Sequence, residues 1–146
     1  MGESQESPLD SDVLKKIISA FPASALELVA RAVKDILADT HPEGLLGHIL
    51  AGEKKSSLNF YVSFLDGMRK LLCPEINEAS KQFWENGDWA LIEKARNACR
   101  IKIEGIADEL QDMCIRLDRG ESPEELREWA DKNILAPIGL HVPDRE

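Results

Sequence analysis

Glu104, Asp108 and Asp112 stand four residues apart, and three carboxylates at that interval are the first place to look for a cation site. A helix turns by about 100° per residue, so such a row drifts around the rod and cannot converge on one ion. Arg100 and Arg116 continue the spacing at either end, which makes the row a solvated face of paired charges. Of the three histidines, His41 and His48 would lie about 10 Å apart along a helix, too far to share a zinc. His141 stands near the end of the chain, and no Glu-x-x-His or Cys-x-x-Cys pair occurs. No metal and no other cofactor is expected.

Phosphate and acyl chemistry are equally poorly supplied. The run Gly47-His-Ile-Leu-Ala-Gly52-Glu53-Lys54 approaches a phosphate loop, but Glu53 occupies the lysine position and would repel the ligand. No Gly-x-Ser-x-Gly elbow is present, and no cysteine has a histidine or a cluster of bases beside it in sequence. Nothing here argues for an enzyme. The glycine-rich segment 44–52 does offer room for close packing or a ligand, with Gly47, His48 and Tyr61 as its lining.

The elements that carry these residues are helices, because the strong boundary signals are helix caps and alternating β-branched runs are missing. Ser11 opens a helix ended by Pro22, and Ser24 with Glu27 forms a capping box for another to about Ala38. Thr40, Pro42 and Glu43 repeat the start signal before the glycine-rich piece, which should be short or irregular at about 1 kcal/mol for each interior glycine. The spacing of Leu58, Tyr61, Leu65, Met68 and Leu72 predicts one long helix over 57–72, stopped by Pro74. Residues 76–85 form a further helix that turns at Asn86-Gly87, and Asp88 caps the next.

That next helix is the longest. Trp89, Ile92, Cys99, Ile103, Ile106, Leu110, Met113 and Leu117 fall three, four or seven apart, the seam of a helix made to meet another. Running to Leu117 it would reach about 45 Å, against about 30 Å for a small domain. Short loops favour packing against sequence neighbours, with the 57–72 helix as partner, over a seam that meets another subunit, and the two are compatible. Arg96 falls on the seam, where a lone charge fixes register and partner number. Ile101 and Ile115 lie opposite it and need cover of their own, while Gly105, outside the seam, is either simply tolerated on the surface or lets the helix kink or another backbone come close. Gly120 ends the helix, and Ser122-Pro123-Glu124-Glu125 opens a last one.

The expected fold is all-α, an antiparallel bundle of about five or six helices around one long central helix. It divides into a disordered acidic N-terminus (1–10), the bundle (11–133) and an apolar, proline-containing tail (134–146) that folds over the bundle. Twenty-seven acids against 18 bases give a net charge of −9, which repels a phosphate backbone and excludes direct nucleic-acid binding as the default. The polar, acidic start does not read as a secretory leader, no apolar run suits a membrane span, and three scattered cysteines, Cys73, Cys99 and Cys114, read as reduced thiols. Cytoplasmic placement follows.

The expected function is non-enzymatic: a protein–protein interaction module, adaptor, inhibitor or assembly subunit, binding a second protein or a second copy of itself. Trp89, Arg96, Ile101, Ile103, Leu110, Ile115 and Leu117 are its candidate contact residues. The alternative is a small-molecule sensor or carrier with a pocket near residues 44–52. A third reading, an acidic decoy for a basic nucleic-acid-binding protein, rests on net charge alone.

Overall fold

The computed structural model describes residues 11–63, 65 and 67–140. The acidic N-terminus and His141 lie outside them. Among the described residues the chain is helical without strands, in the order α1 (Ser11–Ala20), α2 (Ala25–Thr40), α3 (Leu45–Gly52), α4 (Lys55–Ser63), α5 (Gly67–Leu72), α6 (Pro74–Asn86), α7 (Trp89–Asp118) and α8 (Pro123–Ala130). A π turn (Asp131–Leu135) and a 3₁₀ turn (Ala136–Ile138) follow α8. None of these helices is long and apolar enough to cross a membrane.

The caps sit where the side chains dictate. Ser24 Oγ accepts from the amide of Glu27 at 3.2 Å, and Glu27 Oε1 accepts from the amide of Ala23 at 2.8 Å. Asp88 Oδ1 accepts from the amide of Ala90 at 3.0 Å, and Gly87, at φ 69°, supplies the left-handed turn between α6 and α7. Thr40 departs from expectation. It does not start the next helix but ends α2, buried, with its hydroxyl donating to the carbonyl of Ile36 at 2.7 Å. Gly44 then caps α3, held so close to α2 that a Cβ would lie 2.0 Å from the carbonyl oxygen of Ala38.

The predicted 57–72 helix is two helices, α4 ending at Ser63 and α5 starting at Gly67, a glycine whose helix-breaking signal the apolar spacing obscured. Leu58, Tyr61, Leu65 and Leu72 remain buried across the break. That pair is not the partner of the long helix, as expected, for α7 packs chiefly against α6 and α2, with α1 and α3 at its two ends. Gly105 does not interrupt α7, which is continuous for 30 residues.

Ile92, Cys99, Ile103, Ile106, Leu110 and Met113 from the α7 seam all enter the core, beside Val29, Val33 and Ile36 of α2 and Ile76 and Phe83 of α6. Each such side chain contributes about 1.5–3 kcal/mol on burial. The tail folds inward as far as it is described: Ile134 and Leu135 are buried, and Ile138 and Leu140 pack against the core.

A disulfide joins Cys73, just before α6, to Cys99 on α7, with Cα atoms 5.6 Å apart. The expectation of three reduced thiols is therefore wrong, and the argument it gave for a reducing compartment falls with it. Cys114, outside the bridge, donates from Sγ to the carbonyl of Val13 at 3.6 Å.

Candidate partner-binding face

The residues chosen from the sequence divide into three groups. Ile103 and Leu110 are fully buried among the chain's own helices and are removed from any docking surface. Trp89 and Leu117 are half-buried at the two ends of α7, with the Trp89 ring 4.5 Å from that of Phe83. Ile101 and Ile115 remain open, 72% and 42% exposed. The α7 seam is thus satisfied from within the chain.

Arg96 is likewise committed inside the molecule. Its Nη1 donates to the carbonyl of Thr40 at 2.8 Å and its Nη2 pairs with Glu93, leaving the side chain only 12% exposed. Arg100, one turn on, donates to the carbonyl of Leu37 at 2.8 Å and pairs with Glu104 at 3.3 Å. Two cations thus close the C-terminal end of α2, where unsatisfied carbonyls and the helix dipole attract positive charge. The charge on the seam fixes the crossing of α7 over α2 rather than a partner number.

The outer face of α7 is the surface these contacts leave over. Ala90, Lys94, Ala98, Ile101, Gly105, Asp108, Asp112 and Ile115 lie within about 60° of one line along the helix, and all are exposed. Its middle is low in relief on one flank, where Ala98 and Gly105 lie before and after Ile101, and carries the exposed Asn97 on the other. Gly105 has no reason inside the chain: its φ is not left-handed, the helix does not break, and a Cβ there would meet nothing within 4 Å. A glycine in that position costs about 1 kcal/mol against alanine. The acidic row behaves as expected, with Asp112 beside Arg116 at 3.9 Å and Glu104 beside Arg100.

Gly47, His48 and Tyr61 do not converge. Gly47 lines a cavity of about 370 Å³ between α3 and the start of α7, walled by Pro42, Leu50 and Trp89 with Arg96 at its edge. A Cβ on Gly47 would lie 2.1 Å from the carbonyl oxygen of Pro42, so this glycine is required for the approach of α3 to the preceding turn. Tyr61 lines a separate opening of about 350 Å³, and His48 is exposed outside both linings.

That second opening was not foreseen. Leu45 and Phe60, the latter 66% exposed, form its apolar wall around Asp39, Tyr61 and Arg69. A shallower depression lined by Leu28, Ala32, Asp35 and Met68 adjoins it at Arg69. Tyr61 donates to Asp39 Oδ2 at 3.3 Å, and Arg69 approaches the same oxygen at 3.8 Å. Burial nevertheless raises the Asp39 carboxyl above its ordinary range, with Tyr61 and Arg69 pulling it back only in part. The Tyr61 hydroxyl is also raised, by burial and by the neighbouring Asp39 charge. The signal in the sequence was that Leu28, Leu45 and Phe60 lie off the core stripes of their helices; only the fold brings them to one side.

No curated protein and no solved structure matches the chain. The model of a family of unknown function, the DUF6866 C-terminal domain, matches residues 1–133, and the chain belongs to that family.

Proposed function

We propose that this chain is a protein–protein interaction module whose docking face is the outer stripe of α7. The observation that carries the reading is Ile101: a large apolar side chain, 72% exposed, midway along a helix whose other faces are covered by α2 and α6. A neighbouring helix laid along the stripe would bury Ile101 and Ile115 and use the low relief at Ala98 and Gly105.

A photo-crosslinking amino acid in place of Ile101, in the full chain in its native cell, tests this. Crosslinks to protein, whether to another copy or to a different chain, are expected from position 101 and not from exposed Lys55 on α4, away from the stripe. No crosslink from 101, or equal crosslinking from 55, would overturn the reading. Leu110→Glu should abolish folding and Ile115→Glu should not, since one side chain is in the core and the other at the surface.

A second reading has its own observation. The opening around Tyr61 is apolar with a few converging polar groups and falls within the usual 300–1,000 Å³ of small-molecule sites. An apolar fluorescent dye that binds there would be displaced by Leu45→Arg; dye binding unchanged by that variant excludes the opening as its site.

A further inference from the structure

We infer that the partner of the α7 stripe is a second copy of this chain, its α7 laid antiparallel across the first with a two-fold axis at Ile101. This rests on the reading of the stripe as a docking face and adds the identity and direction of what docks. In such a pair, a residue n positions before Ile101 meets the one n positions after it on the other copy. Lys94, seven before, then meets Asp108, seven after, and both point within about 20° of the direction of Ile101. Asp112, one turn further on, flanks the same lysine. The symmetry repeats each contact, so two lysines face four carboxylates. A parallel pairing would set Lys94 on Lys94 and Asp108 on Asp108, so charge selects the antiparallel arrangement.

The small residues obey the same symmetry. Ala98 and Gly105 fall on the same side of the contact line, three before and four after the axis, so each Ala98 faces the other copy's Gly105. The small residues leave room beside the contact line for the two Ile101 side chains, so the helix axes can approach to about 10 Å. This gives Gly105 the purpose that it lacks within its own chain, where the missing methyl leaves open space. One helix face per copy is a small interface, and a dimer that dissociates in roughly the micromolar range is expected.

Sedimentation equilibrium of the purified full chain, from about 1 μM to about 1 mM, tests it. A reversible monomer–dimer transition is expected, with Ile101→Glu monomeric throughout and unchanged in helix content. Lys94→Glu and Asp108→Lys should each weaken the dimer about tenfold, and the double variant should be tighter than either. Under mild oxidation Ile101→Cys should crosslink to its own copy. Ile115→Cys should not, since its two copies would stand about 42 Å apart along the pair. A monomer at every concentration, a dimer indifferent to Ile101→Glu, or self-crosslinking at 115 overturns the inference. A monomer that still crosslinks a different protein through position 101 discards the second copy and keeps the docking face; a monomer that crosslinks nothing there discards both.

Discussion

Arg100 on α7 donates a 2.8 Å hydrogen bond to the carbonyl oxygen of Leu37 on α2, 63 residues earlier in the chain. With Arg96 on the carbonyl of Thr40, it makes the crossing of the two longest helices a matter of charge as well as packing. The two bonds are unequal in consequence. Leu37 also accepts from the amide of His41 at 3.2 Å, so it keeps a donor if Arg100 is lost, whereas the Thr40 carbonyl depends on Arg96. Each variant to methionine should cost stability in the range of about 1.5–3 kcal/mol expected for a charged hydrogen bond, with Arg96→Met the larger. Urea denaturation checks this, and equal losses below about 0.5 kcal/mol would contradict it.

The same crossing shows where reading the sequence succeeds and where it stops. Ile103 and Leu110 were legible as seam residues because apolar periodicity belongs to a single helix and needs no knowledge of its neighbours. Which helix covers them was not legible. Proximity in the chain favoured the 57–72 segment, while the structure uses α6 and α2. The opening at Tyr61 escaped for the same reason: Asp39, Leu45, Phe60 and Arg69 come from four helices, and no spacing within one of them announces the group. Ile101 and Ile115, by contrast, were visible as apolar residues on the wrong side of a seam.

The disulfide between Cys73 and Cys99 was not legible in the sequence, because the two cysteines belong to different parts of the chain and no spacing within one helix brings them together. The bridge closes a separation of 26 residues, and in the chain-entropy account a loop of that size is stabilised by about 3–4 kcal/mol. Thiol titration of the unfolded, unreduced chain should find a single reactive group, Cys114, and three after reduction. Cys73→Ala together with Cys99→Ala should lower the stability by a large part of that amount. Three thiols before reduction would restore the expectation drawn from the sequence.

Asp39 should make the molecule respond to pH against the usual direction. Burial raises its folded pKa above the ordinary 3.8, so the folded state holds the proton more tightly than the unfolded chain. Stability from this group is then full below about 3.8 and is lost as pH rises through the raised value. Glu27 and Glu121 act oppositely. The amide of Ala23, with Arg31, lowers Glu27, and Arg116 lowers Glu121, so their contributions are present above the ordinary 4.5 and lost on acidification. Asp39→Asn isolates the first effect: relative to the natural chain, the variant should gain stability as pH rises from below the ordinary 3.8 through the raised value, and change little beyond it. Denaturant unfolding across that range measures the difference, and a pH-independent difference would refute the assignment.

Gly47 and Gly105 both lie inside helices, yet alanine should affect them with opposite sign. At Gly47 a Cβ would lie 2.1 Å from the carbonyl oxygen of Pro42, a backbone atom that cannot move without shifting the α2–α3 turn. Gly47→Ala should destabilise by about 1–3 kcal/mol, the ordinary cost of overpacking. At Gly105 the added methyl meets nothing within its own chain, so only the helix-forming advantage of alanine, about 1 kcal/mol, remains. Self-association would mask that gain, so Gly105→Ala belongs in the Ile101→Glu background, where the outer face of α7 carries no partner. Thermal or urea unfolding should then find a more stable monomer. If alanine destabilises it instead, Gly105 serves the chain's own packing, and its openness toward another helix loses its meaning.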